Sequence, residues 1–152
     1  IQAVCLLDLL SEAAAGIPDD MKGKAEIILE CPDDIILFCD KTHVLEVFNN
    51  LIGNAFESFS SNGILKITCR RKYRFIVIHL QDNGCGITKE ELPYLFEPYH
   101  TTKISNHHLG LGLYYCNKVM KEHRGIIKVN STPGKGSVFS LYFPVRPRKL
   151  KK

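Results

Sequence analysis

The stretch Asp82-Asn83-Gly84-Cys85-Gly86 places an acidic residue at the end of an apolar segment and two glycines directly after it. A carboxylate in this position can recognise the edge of a base, and glycines let the backbone pass close to a ligand. An Asp before Asn-Gly is also a common turn cap at the end of a strand. The stretch is therefore informative only together with other segments.

Two further segments carry related chemistry. Upstream, Asn50-Leu51-Ile52-Gly53-Asn54 offers two side-chain amides that can reach a phosphate or a metal ion. Downstream, Gly110-Leu111-Gly112-Leu113 opens a predicted helix with a pair of glycines, and the N-terminus of a helix suits an anion. Each signal is weak alone, but the three in this order and spacing predict a nucleotide pocket.

The segment from Asp40 to about Ser60 predicts a long amphipathic helix with Asp40 as its cap. One half of its surface is apolar, with Val44, Leu45, Val47, Phe48, Leu51, Ile52, Ala55, Phe56 and Phe59. The opposite side holds Glu46, Asn50, Gly53, Asn54 and Glu57. A purely solvated face would favour Lys and Glu over Asn and Gly, which weaken a helix. The composition therefore favours a ligand above this face.

The remaining elements complete a two-layer fold. Further helices are predicted over 4–15 and 112–123, with a short helix beginning near Thr88. Strands are predicted over 25–31, 35–39, 64–71, 75–80, 126–130 and 138–143. The first two strands flank the turn Pro32-Asp33-Asp34, and the last two form a hairpin. The pattern predicts an α/β (α+β) sandwich, in which three main helices lie on one face of a mixed sheet of about five strands.

Size and composition indicate one globular domain. A length of 152 residues suits a single core, and no apolar run is long enough to cross a bilayer. The six cysteines show no zinc-ligand spacing, which favours a reducing, cytoplasmic compartment. The formal net charge of +4 is concentrated in the tail 146–152. Without interleaved aromatic residues this tail is interpreted as solvated, and no nucleic-acid partner is expected.

The three segments resemble motifs of the ATP-binding catalytic domain of sensor histidine kinases. That domain belongs to the ATPase superfamily of gyrase, the ninety-kilodalton heat-shock chaperone and the mismatch-repair ATPases. Asn50–Ala55 is similar to the N box, Asp82–Gly86 to the first glycine box and Gly110–Leu113 to the second. Leu95–Lys103 is similar to the F box and the start of the ATP lid, and Pro133–Ser137 also fits.

The resemblance implies a Bergerat-type ATP-binding fold and a division of the chain. Residues 1–145 would form the catalytic domain, with 1–12 as the tail of a linker from a dimerisation and phosphoacceptor domain. Residues 146–152 would be a basic C-terminal tail. Because the chain begins with Ile, it is interpreted as a piece of a longer polypeptide, whose membrane anchoring is left open.

The resemblance also implies roles for single residues on the adenine and metal side of the site. Asp82 would accept a hydrogen bond from the amino group of adenine, and Asn54 would hold Mg²⁺ through its amide oxygen. Asn50 would face the phosphates as a catalytic residue. Relatives that hydrolyse ATP carry Glu there, and an amide cannot take a proton from water. The further nucleotide-binding positions are Glu57, Gly84, Gly86, Ile87 and Tyr99.

The phosphate side of the site is assigned to the lid and the second glycine box. Lys103 would approach the γ-phosphate as a catalytic residue, although a solvated loop Lys is the open alternative. The other phosphate-binding positions are Thr101, Thr102, Gly110, Leu111, Gly112 and Leu113. The chain departs from the family where Asn106-His107-His108-Leu109 stands in place of a glycine-containing lid segment.

The expected function is that of a phosphoryl donor. The domain would bind ATP and Mg²⁺ and phosphorylate a His on its own dimerisation domain, from which a response-regulator receiver domain would take the phosphoryl group. None of the six His is followed by Glu or Asp as in the family's phosphoacceptor signature, so the acceptor is expected elsewhere. The parent would be a homodimer and this piece a monomer. The alternatives are an anti-sigma-factor-type serine kinase and a non-catalytic nucleotide-binding module of the same fold.

Overall fold

The computed structural model describes residues 1–99 and 111–145, and its elements alternate in an α/β order. The helices are α1 (Leu6–Ala15), α2 (Lys41–Ser58) and α3 (Gly112–Glu122), with a 3₁₀ turn at Leu92–Tyr94. The strands are β1 (Gln2–Cys5), β2 (Ala25–Glu30), β3 (Ile36–Cys39), β4 (Gly63–Lys72), β5 (Phe75–Asp82), β6 (Ile126–Thr132) and β7 (Gly136–Pro144).

Five of the strands form one mixed sheet in the order β2-β4-β5-β7-β6. Strand β2 runs parallel to β4, and the other neighbours are antiparallel. The apolar sides of α1, α2 and α3 share a core with alternate residues of β4, β5 and β7, such as Ile67, Ile78 and Leu141. The predicted two-layer sandwich with three main helices and a five-stranded mixed sheet is confirmed.

The first part of the chain differs from the prediction. Strand β1 precedes α1 and pairs antiparallel with β3, from Gln2 opposite Cys39 to Cys5 opposite Ile36. The two strands predicted on either side of the Pro32 turn are both present, but they do not pair with each other, because β3 belongs to a separate two-stranded sheet. The predicted helix over 4–15 begins two residues later, at Leu6. Leu6, Leu9 and Leu10 are buried in the common core.

Helix α2 runs through the middle of the helical layer and carries much of the core. Its N-terminus is capped as predicted, since Asp40 Oδ1 accepts a hydrogen bond from the His43 backbone N–H at 3.1 Å. The residues of the predicted apolar side are buried, apart from the half-buried Leu45. The packing of this side directs the polar side of α2 away from the sheet.

A shorter helix predicted to begin near Thr88 is reduced to turns. The Thr88 carbonyl accepts hydrogen bonds from the N–H groups of Glu91 and Leu92, and the chain then enters the 3₁₀ turn. Pro93 lies inside that turn and cannot donate to an α-helical ladder, which accounts for the difference. Within residues 1–99 and 111–145, no helix combines the length and apolarity needed to cross a membrane.

Candidate functional site

Asp82 ends β5 with its side chain almost fully buried, at 8% exposure. Its Oδ1 accepts hydrogen bonds from the backbone N–H of Gly84 at 2.9 Å and of Ser137 at 3.2 Å. Two backbone donors from different segments fix the orientation of this carboxylate. A buried acidic side chain held in this way can select a ligand donor by geometry.

Packing, as well as turn conformation, requires the glycines after Asp82. A Cβ on Gly84 would collide with the side chain of Ser58, in the last turn of α2. Gly86 has a φ of 75°, and a Cβ there would collide with the Thr132 carbonyl. The Cys85 N–H donates to the Ser58 carbonyl at 3.2 Å. The glycine segment, Gly84–Gly86, is thus packed between the end of α2 and the β6–β7 turn.

The β6–β7 hairpin closes this side of the site. The Gly134 N–H donates to the Cys85 carbonyl at 2.8 Å, and the Ile87 N–H donates to Ser131 Oγ at 2.7 Å. Ser131 Oγ also lies 2.7 Å from Ser137 Oγ. The hairpin therefore holds the glycine segment beside β7, the strand that carries Ser137, the second donor to Asp82.

The sequence did not identify three residues that position Asp82 and its glycines: Ser58, Ser131 and Ser137. Their roles depend on the register of β7 beside β5, in which Ser137 stands opposite Asp82. Ser137 could have been found from its place directly after the Gly-Lys-Gly turn. Ser58 and Ser131 carry no comparable signal.

Helices α2 and α3 meet at Asn50. A Cβ on Gly112 would lie 3.3 Å from Asn50 Oδ1, so the first residue of α3 is packed against the side-chain amide. One turn further along α3, the Cys116 thiol donates a hydrogen bond to the Val47 carbonyl of α2 at 3.8 Å. Burial raises the pKa of Cys116 to about 12, and the nearby Glu46 carboxylate adds to the shift. This thiol is therefore protonated at neutral pH and acts as a packed donor.

The N-terminus of α3 has the features of an anion site. Leu111 is its N-cap, with no side-chain cap hydrogen bond, and the first turn contains no acidic residue. The backbone N–H groups of a first helical turn have no partners within the helix and carry partial positive charge. Since Asn50 lies against this turn, a side-chain amide and a helix N-terminus stand side by side.

The polar side of α2 continues from Asn50 towards the glycine segment. Asn54 and Glu57 are half-buried on this side, which also includes Gly53. No atom of the described residues comes within 4 Å of a Cβ built on Gly53. The polar side of α2 is therefore accessible at its middle. Asp82 lies near one end of this surface, and the start of α3 lies near the other.

The remaining predicted site residues lie at the edge of the core, on the surface or outside the described residues. Ile87 and Leu113 pack against the core edge, and Tyr99 is 73% exposed with a φ of 64°. The lid residues Thr101, Thr102, Lys103 and Asn106–Leu109, and Gly110 of the second glycine box, lie outside residues 1–99 and 111–145.

The chain is similar to proteins of one family. Residues 39–147 match the family described as "Histidine kinase-, DNA gyrase B-, and HSP90-like ATPase". Sporulation kinase E of Bacillus subtilis (strain 168) is 38% identical over 126 residues, which cover 82% of this chain and 17% of the relative. The chain thus spans about a sixth of the length of that relative.

Solved structures support the same relationship. The nucleotide-free catalytic domain of histidine kinase ThkA is 29% identical, with a TM-score of 0.85 and 96% coverage of both chains. A structure of ThkA in complex with the response regulator protein TrrA is 28% identical, with a TM-score of 0.80. The alignment covers 97% of this chain and 42% of the ThkA chain in that complex.

The family match spans the N-box helix α2, Asp82 with its glycines and the start of α3, which are the segments that the fold brings together. This chain belongs to the histidine kinase-, DNA gyrase B- and HSP90-like ATPase family, and its fold is that of a histidine kinase catalytic domain.

Proposed function

We propose that this domain binds Mg²⁺·ATP and donates the γ-phosphoryl group to a histidine on a separate dimerisation domain. The observation that carries this proposal is the contact between Asn50 and Gly112. It sets an amide, rather than a carboxylate, against the helix N-terminus that suits phosphate. An amide cannot accept a proton, so Asn50 would orient the phosphates without activating a water molecule for hydrolysis.

Adenine binding is assigned to Asp82. Its Oδ1 is oriented by the N–H groups of Gly84 and Ser137, which leaves the carboxylate rigid. A carboxylate accepts from the amino group of adenine, whereas guanine offers a carbonyl at that position. The glycines beside it let the backbone approach the base. Glu57, Ile87 and Tyr99 are kept as further nucleotide-binding positions.

The donor chemistry of α2 fits a hydrated magnesium ion. Asn54 supplies a neutral amide oxygen on the accessible side of the helix, and Mg²⁺ prefers few protein oxygens together with waters and phosphates. Asn54 would hold the ion. When bound, Mg²⁺ supplies charge neutralisation on the phosphates. Asn50 and the backbone N–H groups at Leu111, Gly112 and Leu113 would orient the phosphates, with Lys103, Thr101, Thr102 and Gly110 kept as lid and loop contacts.

The transfer step requires little covalent chemistry from this chain. A nitrogen of the acceptor histidine forms a bond to the γ-phosphorus as the bond from that phosphorus to the β–γ bridging oxygen breaks. The bonding electron pair leaves with ADP, and the histidine proton passes to solvent. Residues of this domain contribute by positioning the phosphates and excluding water, which is the main source of catalysis in phosphoryl transfer.

The partners follow from this assignment. We propose that residues 1–12 continue from a dimerisation domain that carries the acceptor histidine and makes the parent a homodimer, with 146–152 as a basic tail. The pairing of β1 with β3 and the burial of Leu6 would fix where that domain joins the core. The complex of ThkA with TrrA supports a response-regulator receiver domain as the next acceptor. The need for ATP and six free cysteines support a cytoplasmic location.

A nucleotide titration tests the proposal. Fluorescent ATP should bind the 152-residue chain saturably, and Mg²⁺ should strengthen binding through Asn54. We expect Asp82→Asn to weaken binding by roughly a hundredfold, which corresponds to about 2.7 kcal/mol. Asn keeps an oxygen for the two backbone donors, so the unfolding free energy should change by only about 1 kcal/mol. Unchanged nucleotide affinity in this variant contradicts the adenine assignment.

A transfer assay separates the kinase classes. Incubation with a separately produced dimerisation domain and γ-labelled ATP should place an acid-labile, base-stable phosphate on histidine. Asn50→Ala should reduce transfer with little change in unfolding free energy. Acid-stable phosphoserine on a partner would instead favour the anti-sigma-factor-type kinase, and nucleotide binding without any transfer would favour the non-catalytic module.

A further inference from the structure

A groove of about 310 Å³ lies on the face of the five-stranded sheet that no described helix covers. Side-chain alternation establishes the face: Ile76 and Ile78 belong to the core under the helices, so Val77 between them points the other way. We name this feature the β-face groove. Its lining includes Lys72, Phe75, Val77, Ile126, Lys128 and Tyr142.

The floor and walls of the β-face groove are apolar and fixed by strand register. Val77 stands opposite Tyr142, which in turn stands opposite Ile126, so the three form one row across β5, β7 and β6. Val77 is only 1% exposed although it lies outside the helix-side core. The rings of Phe75 and Tyr142 meet edge to face, with centroids 6.2 Å apart and planes at 87°. They form the walls of a cleft rather than a flat surface.

The rim of the β-face groove is positively charged. Lys72 and Lys128 both line it, and both are exposed. Arg70, opposite Val77 on β4, adds a third cation. In the described part of the chain, neither lysine of the rim forms an ion pair with a carboxylate. Glu30, at the far edge of the sheet on β2, instead lies 3.9 Å from Lys66.

We propose that the β-face groove is a docking site for an acidic segment of a protein partner that inserts one aromatic or large aliphatic side chain. The apolar row of Val77, Tyr142 and Ile126 would bury that side chain, and the cations of the rim would attract the acidic residues beside it. A small apolar cleft with a few convergent charged groups is the usual form of a specific binding site. Charge complementarity across the rim would speed association and select the partner.

The geometry of the rings favours a peptide over a nucleic acid. Proteins that bind single strands present open ring faces on which bases stack. Here the Lys128 ammonium lies over the ring of Tyr142, 5.4 Å from its centroid, and the ring of Phe75 stands at right angles to it. A base could stack on Tyr142 only after displacing Lys128. That lysine is the cation that would be needed to bind the phosphate of the same nucleotide.

The β-face groove is separate from the nucleotide site. Phe75 begins β5 and Asp82 ends it, so seven residue steps of extended chain, roughly 23 Å, lie between them. The nucleotide site is on the helical side of the sheet and the groove on the other. A partner held at the groove therefore leaves the nucleotide site accessible, and the two should bind independently.

A labelled peptide provides the test. The probe is a fluorescein-labelled peptide with a central phenylalanine between two runs of three glutamates, titrated against the 152-residue chain by fluorescence anisotropy at low salt. We expect saturable binding, with amide chemical-shift changes centred on Val77, Ile126 and Tyr142. Replacing the phenylalanine of the probe with serine should weaken binding, and ADP should not compete.

Charge-reversal variants locate the contact. Lys128→Glu or Lys72→Glu should weaken binding roughly tenfold, because each converts a favourable surface pairing into a repulsion. Lys66→Glu is the matched control, since it makes the same charge change on the same sheet face outside the groove, and it should change affinity less than twofold. Equal effects of Lys128→Glu and Lys66→Glu, or absence of binding, would overturn the proposal. Tighter binding of an oligothymidylate with the same shift changes would also overturn it in favour of a nucleic-acid partner.

Discussion

Gly112 lies directly against the side chain of Asn50, and a Cβ added to it would stand 3.3 Å from Asn50 Oδ1. This contact joins two segments that are more than sixty positions apart in sequence and that each carry one part of the proposed phosphate site. One turn further along α3, the Cys116 thiol donates a hydrogen bond to the Val47 carbonyl of α2 at 3.8 Å. The two helices are therefore in contact around Asn50, and changes at the start of α3 should act on this side chain.

Gly112→Ala should weaken nucleotide binding without unfolding the protein. The added methyl group needs the Asn50 amide to move by a few tenths of an ångström, which a side chain can do at a cost below about 1 kcal/mol. The displaced amide would no longer point to the phosphates, and we expect ATP affinity to fall roughly tenfold. Urea unfolding and titration with fluorescent ATP measure the two effects. Gly23→Ala is the control, since nothing lies within 4 Å of its built Cβ.

Gly53→Ala should change stability and binding in opposite directions. Gly53 lies in the middle of α2, and alanine there should raise the unfolding free energy by about 0.5–1 kcal/mol through helix propensity. The same methyl group would project into the space that we assign to the nucleotide. Affinity for Mg²⁺·ATP should therefore fall while the melting temperature rises. A more stable variant with unchanged affinity would show that the polar side of α2 does not face the nucleotide.

The parts of the site that the sequence predicts are those defined by local pattern. The apolar side of α2 and its Asp40 cap follow from helical periodicity and a capping preference, and both are present. The burial of Asp82 at the end of β5 agrees with a carboxylate that does more than cap a turn. Its roles in nucleotide binding, and those of Asn50 and Asn54, stay predictions.

The parts that the sequence missed depend on pairings between distant segments. Strand β1 forms because Gln2–Cys5 pairs with β3, whereas periodicity alone extended the predicted α1 backwards over Val4 and Cys5. Likewise, β2 pairs in parallel with β4 and not with the strand that follows it across a turn. Ser137 donates its backbone N–H to Asp82 only because the register of β7 places it opposite. None of these pairings can be recognised from a ten-residue window of the sequence.

Alkaline pH should destabilise the protein through Cys116. Burial first, and then the Glu46 carboxylate, raises the pKa of this thiol from its ordinary value of 9.0 to about 12. Because the pKa is raised in the folded state, the full stabilisation is present below pH 9 and is lost as the pH rises from 9 towards 12. This group alone should remove about 1 kcal/mol per pH unit in that window. Urea unfolding at pH 8.5, 9.5 and 10.5 measures the slope.

Two cysteine variants isolate that slope. Cys116→Ala removes the buried titrating group and should show a smaller loss of unfolding free energy between pH 9 and 10.5 than the unaltered chain. Cys85→Ala removes an exposed thiol and should keep the original slope. If all three proteins lose stability in parallel, the alkaline destabilisation has another source.

His123 connects the end of α3 to the start of α2, and its removal should loosen both helices. Its Nε2 accepts a hydrogen bond from the Asp40 backbone N–H at 3.0 Å, while its Nδ1 lies 2.8 Å from the Val119 carbonyl. With these partners, Nδ1 is the donor of the ring and Nε2 the acceptor. The ring also packs edge to face on Phe143, at 6.1 Å between centroids. His123→Ala would remove these contacts together and should lower the unfolding free energy by about 2–3 kcal/mol.

His43→Ala is the matched control for the His123→Ala variant. His43 also contacts Asp40, with its Nδ1 at 3.3 Å from Oδ2, but both side chains are more than 40% exposed. A surface contact of this kind contributes about 0.5 kcal/mol or less. Because α2 and α3 carry the two sides of the proposed phosphate site, His123→Ala should also weaken ATP binding, whereas His43→Ala should not. Equal losses of unfolding free energy in the two variants would show that the buried hydrogen bonds of His123 do not hold the helices together.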